Sequence, residues 1–117
     1  MNIEAYRDFC LSLKGATEEF PFDNRTLVFK VQNKIFALLD IESFKQINLK
    51  CDPEKAIELR EQFEGIIPGY HMNKKHWNSL KIASDVSDSL VKELTSHSYE
   101  LVVSGLTKKL REGLNSL

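Results

Sequence analysis

The sequence predicts an α+β fold in which an antiparallel sheet is packed by helices on one side. Three observations carry that expectation. Helical and strand periodicities are segregated along the chain as helix, strands, helix, strands and closing helices, whereas a parallel sheet needs strand and helix in alternation. From Gln46 to Lys50, Ile47 and Leu49 alternate with Gln46, Asn48 and Lys50, so one face of the sheet is polar. The 117 residues, 42% hydrophobic and 28% charged, suffice for one core, and a single domain over residues 1–117 is expected.

The first helix is read from Ile3, Tyr6, Phe9, Cys10 and Leu13 at helical spacing, with Asn2 as N-cap and Gly15 as its end. Thr17 to Asn24, with Glu18, Glu19, Pro21 and Asp23, reads as a solvated connection. Thr26 onward turns β-branched and aromatic: Leu27, Phe29 and Val31 alternate, Gln32 to Lys34 turn, and Ile35 to Leu39 is nearly all apolar, which predicts a hairpin. Asn33 tolerates the left-handed backbone that such a turn needs. A third strand follows at Gln46 to Lys50.

Asp52-Pro53 marks the next helix, because Asp accepts from the orphan N–H groups of a helix start and Pro fits the first helical position. Ala56, Leu59 and Phe63 form its buried stripe, and Gly65 ends it. Ile66 to Tyr70 and His71 to Asn78 suit a strand end and a short polar turn, and Leu80 and Ile82 flank Lys81 in a last short strand. Asp85 to Ser89 introduces a helix marked by Leu90, Val91 and Leu94. Two more short helices are expected, capped by Ser98 and Thr107, with Lys108, Lys109 and Arg111 near the end of the last one, where cations suit the helix dipole.

Composition narrows the function classes. A net charge of −1 and a pI near 6.3 argue against a protein that grips nucleic acid by bulk charge. The charge is unevenly spread: residues 65 to 84 hold no acid, only Lys74, Lys75 and Lys81 with His71 and His76. An anionic partner belongs there. No apolar run spans a membrane, and the start, with Glu4 and Asp8, lacks the cationic and apolar parts of a secretory signal, so a cytoplasmic protein without a membrane partner is expected.

Cys10 and Cys51 show no C-x-x-C spacing and predict free thiols. Cys51, just before a helix start whose dipole lowers a thiol pKa, is the one candidate nucleophile; the plain alternative is a buried strand-end cysteine. His71 and His76, five apart, lack the helical spacing of common zinc sites. The five glycines never cluster, which excludes a P-loop. No catalytic residue, metal or cofactor is assigned. What remains is Gly69 to Trp77, GYHMNKKHW, where lysines that attract phosphate alternate with rings that stack on bases. The plain alternative is that Tyr70 and Trp77 anchor the turn in the core.

Glu19-Phe20-Pro21-Phe22, Lys34-Ile35-Phe36-Ala37, Asn48-Leu49-Lys50-Cys51-Asp52-Pro53 and the run Pro68 to Asn78 resemble the MmcQ/YjbR family of bacterial proteins. Ser98-Tyr99 and Leu106 to Lys109 fit as well. The resemblance implies a CyaY/frataxin-like α+β arrangement, the "double wing", and DNA as a ligand. Carried onto this chain, the residues it implies for nucleic-acid contact are Lys50, Tyr70, His71, Asn73, Lys74, Lys75, His76 and Trp77. The wing tips fall at Gln32 to Lys34 and at Asn73 to Asn78. DNA is thus the expected partner, with histidine protonation below about pH 6.5 strengthening the contact. The alternative is a protein-interaction module using Leu106, Leu110, Leu114 and Leu117. A third reading, frataxin-like metal handling by Glu4, Asp8, Glu18 and Glu19, competes with ordinary solvated carboxylates.

Overall fold

The computed structural model describes residues 1–69 and 72–117. The elements run α1 (Ile3–Ser12), β1 (Ala16–Glu19), β2 (Thr26–Val31), β3 (Lys34–Asp40), β4 (Gln46–Lys50), α2 (Pro53–Gln62), β5 (Ile66–Pro68), β6 (Trp77–Lys81), α3 (Asp88–Ser104) and α4 (Lys108–Asn115). The strands form one sheet in the order β1-β2-β3-β4-β6-β5, and every neighbouring pair is antiparallel. The predicted fold class is thereby found.

Strand register explains the two faces. Leu27, Leu39, Ile47, Leu80 and Ile66 pair in one line across five strands and are all buried. This row meets the helices: α3 lies over β3 and β4 and reaches β2, α1 packs beside β1, and α2 beside β5. The next line on the opposite face is Val28, Leu38, Asn48, Ser79 and Ile67, so the polar alternation of β4 gives way to apolar residues in β2 and β3.

A bulge breaks the β2–β3 ladder: Phe29 pairs with Ala37 but Lys30 with Ile35, leaving Phe36 as the extra residue. Its ring is fully buried between Phe29 and Tyr99, with centroids 6.3 and 5.5 Å away. Its carbonyl, displaced from the ladder, accepts from the buried Ser98 hydroxyl at 2.5 Å, and the Ser98 hydroxyl oxygen in turn accepts from Lys50 N at 2.9 Å. Ser98 is therefore the bolt between α3 and the sheet, not the cap of a new helix. The expected break there is absent because Ser87 is the N-cap and α3 runs 17 residues through Thr95 and Ser98, whose hydroxyls bond inward. Two helices, not three, close the chain.

Three further expectations are corrected. Part of the Thr17–Asn24 connection is the edge strand β1, charged as edge strands often are, with Glu18 held by Arg7 of α1 and Glu19 by Lys30. Helix α2 starts with Pro53 behind its Asp52 cap as expected, but stops at Gln62, before Gly65. Lys108 and Lys109 open α4 behind its Thr107 cap instead of closing it, so the dipole does not favour them. No helix among the described residues is long and apolar enough to cross a membrane.

Candidate nucleic-acid interface

Two turns stand at one end of the sheet. The first joins β2 to β3: Val31 pairs with Lys34, leaving Gln32 and Asn33 as a two-residue loop with φ of 46° and 65°, a type I′ turn that matches strand twist. Lys34 follows it, exposed.

The second leads into β6. Asn73 organises it from within: its side-chain oxygen accepts from Lys75 N at 2.9 Å, and its carbonyl from His76 N at 3.1 Å and Trp77 N at 2.9 Å. Two anchors hold it from outside. Cys51 N donates to the His76 carbonyl at 2.7 Å. Arg60, reaching across from α2, donates through Nε to Asn78 Oδ1 at 2.6 Å and through Nη2 to the carbonyls of Lys74 and Trp77. At the neck, Gly69 N donates to the Trp77 carbonyl at 2.8 Å, and a Cβ on Gly69 would stand 2.8 Å from the Cβ of Trp77. Only glycine permits that approach.

Between the turns lies a cleft of about 400 Å³ lined by Lys34, Lys50 and Trp77, with the end of α3 at Leu101, Val102 and Gly105 as its floor. Lys50 and Trp77 are register partners, so their side chains share one face. No carboxylate lines the cleft. The carbonyl end of α3 would repel an anion, but Arg111 donates to the carbonyls of Ser104 at 3.0 Å and Leu106 at 3.2 Å and supplies a cation at that terminus.

The expected residues thus divide. Lys50 and Trp77 line the cleft; Lys74 and Lys75 are exposed in the turn beside it; Asn73 builds that turn; His76 is half-buried and contributes its backbone. Trp77 is only half-buried, at the start of β6, so it does not anchor the turn in the core. Tyr70 and His71 lie outside the described residues. Sequence reasoning assigned Arg60 no part, and marked Ser98 and Arg111 only as a helix cap and a helix-end cation. Arg60 left one trace, its place four residues after the buried Ala56, on the inward edge of α2.

Other chemistry finds less. Burial pushes the Cys51 thiol up from its ordinary value despite Lys55 nearby, and the residue is 4% exposed, so of the two readings of Cys51 the structure has the buried strand-end cysteine. His97 accepts from Asp52 N at 3.4 Å, and burial followed by Lys55 holds its pKa below the ordinary histidine value. No group of three or more His, Cys, Asp or Glu among the described residues stands close enough together to hold a metal ion. Of the acids weighed for metal handling, Glu18 is engaged by Arg7, whose hydrogen bond holds its carboxyl below the usual range.

The sequence model of the YjbR family matches residues 11–101. The chain belongs to the YjbR family. It is 42% identical over 91 residues to the uncharacterised protein YbdF of Escherichia coli, spanning 77% of this chain and 75% of YbdF. It is 30% identical to the uncharacterised Escherichia coli protein YjbR over the full length of both. A crystal structure of a Deinococcus radiodurans protein with a DUF419 domain, 40% identical, superposes with a TM-score of 0.90 over 97% of this chain and 88% of that one. A Pseudomonas syringae protein, 28% identical, gives 0.74 over 86% and 98%. The family match includes both turns and the cleft residues Lys34, Lys50 and Trp77.

Proposed function

We propose that this YjbR-family protein binds DNA through the end of the sheet where the two turns flank the cleft. One observation carries the reading: Lys34 from one turn, Lys50 from β4 and Trp77 from the other turn line a single cleft without a carboxylate, next to the exposed Lys74 and Lys75. Lysines supply phosphate contacts and the indole supplies a flat apolar surface. With these four lysines, binding is weak and falls steeply with salt.

The test is an amide NMR titration with a short DNA at about 50 and 200 mM salt. Shifts confined to the cleft and the Asn73–Trp77 turn, and fading at the higher salt, support the reading; an unchanged spectrum at the lower salt removes it. Because the chain has one tryptophan, quenching of Trp77 emission reads the same event independently.

A second reading, contact with another protein, has an observation of its own. Leu106 and Leu114 are buried, which takes those two away from that role, whereas Leu117 is 74% exposed; Phe20 and Phe22 stand 44% and 68% exposed together on the loop after the edge strand β1. If a partner recovered from lysate is lost on Phe22→Ser and kept on Lys74→Ala with Lys75→Ala, that surface is a protein interface.

A further inference from the structure

The face of the sheet turned away from the helices carries a cavity of about 400 Å³ that is separate from the end cleft. Its floor is Leu38 with Gln46 and Asn48; Met72, from the segment leading into the Asn73–Trp77 turn, is one wall, and Ser43 with Lys45, from the loop after β3, is another. The volume is that of a small-molecule site.

Its chemistry is specific. Leu38 and Met72 offer apolar surface. Asn48 is fixed in orientation because its Oδ1 accepts from the Ser79 hydroxyl, while its Nδ2 makes only a long 3.4 Å contact with the Leu38 carbonyl and keeps a hydrogen to donate. Gln46, half-buried, brings an amide with both donor and acceptor. Apolar surface combined with side-chain amides suits a planar heterocycle with its own donors and acceptors. Asp40 also lines the cavity, but Arg25 bonds its carboxylate at 2.7 Å and the N–H groups of Glu42 and Ser43 bond it at 2.9 and 3.2 Å, which offsets its charge.

The connection to the end cleft runs along β4. Gln46, Asn48 and Lys50 lie on the same face at two-residue steps of about 6.6 Å, so the amides of the cavity continue directly to a cleft lysine. At the other end of that stripe, exposed Lys81 pairs with Gln46, and exposed Lys45 adjoins it. Cations thus stand at both ends of the amide stripe, where a strand laid along β4 would bring its phosphates.

We infer that the cavity takes one unpaired base, and that the protein therefore prefers single-stranded to double-stranded DNA, the strand lying along β4. A duplex keeps its bases stacked and paired inside and has nothing to place in a concave pocket on the sheet. This rests on the nucleic-acid reading above and sharpens it.

The experiment measures fluorescence anisotropy of one labelled oligonucleotide as a single strand, annealed to its complement, and as a strand with abasic sugars, against the full chain and its Gln46→Ala variant. Gln46 makes no hydrogen bond through its side chain among the described residues, so its loss leaves the fold intact. The single strand is expected to bind about tenfold tighter than the duplex, and both the abasic strand and Gln46→Ala to weaken single-strand binding several-fold, with duplex binding by the variant unchanged. Duplex binding as tight as single-strand binding overturns this inference alone, as does single-strand binding indifferent to bases and to Gln46. Absence of binding by any of the three overturns it together with the reading on which it rests.

Discussion

The turn at Gln32–Asn33 and the turn at Asn73–Trp77 flank the same cleft, yet they are held in opposite ways. The first is a local object: two residues in the left-handed region close a strand pair whose ladder continues on both sides. The second has one organising residue of its own, Asn73, and depends on Arg60 from α2 and on the Cys51 amide at the end of β4. A hairpin can shape a surface by itself; an irregular turn carrying exposed lysines needs elements distant in sequence to fix it. The difference teaches where a single substitution has reach.

The largest effect is expected at Arg60. Arg60→Ala removes bonds to two carbonyls and leaves the buried Asn78 side chain without its one protein partner, which costs about 3 kcal/mol and detaches the Asn73–Trp77 turn. Thermal melts and the NMR spectrum should show a less stable protein with changes concentrated at residues 72–78, while the Gln32–Asn33 turn keeps its shifts. Equal perturbation of both turns would remove the contrast.

The hairpin responds in the other direction. Gln32→Gly places the residue best suited to positive φ where glutamine is strained at φ 46°, and should stabilise the protein by about 1 kcal/mol without altering the second turn. A destabilised variant would show that contacts of the Gln32 side chain outweigh backbone strain.

The smallest effect concerns pH. The folded state holds His97 below its unfolded value, so as pH falls below about 6.5 the unfolded chain takes up a proton that the folded one resists, and stability declines toward the folded pKa. Glu18, Asp23, Asp40 and Asp85 are also lowered, chiefly by hydrogen bonds, and their contribution, complete above the usual carboxylate range, is lost only at more acid pH. Melting temperature against pH should therefore fall in two stages. His97→Gln, which keeps a side-chain acceptor for Asp52 N, should flatten the upper stage and leave both turns unchanged.

The same contrast explains what the sequence could convey. The hairpin, β4 and the Asp52-Pro53 helix start were legible because side-chain alternation and cap chemistry are local signals. Edge strand β1 was not, because two glutamates paired with cations on α1 and β2 resemble a solvated loop. Nor was the continuity of α3: Thr95 and Ser98 interrupt its apolar pattern, and only the bulge at Phe36 supplies the carbonyl that makes a serine useful there. In the candidate site, the local basic and aromatic composition marked Gly69 to Trp77, which contains the Asn73–Trp77 turn. The joining of Lys34 with Lys50 and Trp77, and the reach of Arg60 and Arg111, are tertiary facts without a local signature.

Whether this end of the sheet is an electrostatic DNA surface is read most directly from the slope of log binding constant against log salt concentration for the native chain and for Lys74→Ala with Lys75→Ala. The double variant should bind more weakly, with a slope shallower by about 1.4 to 1.8, the loss of two phosphate contacts. An unchanged slope, or binding indifferent to salt in the native chain, would contradict such a surface.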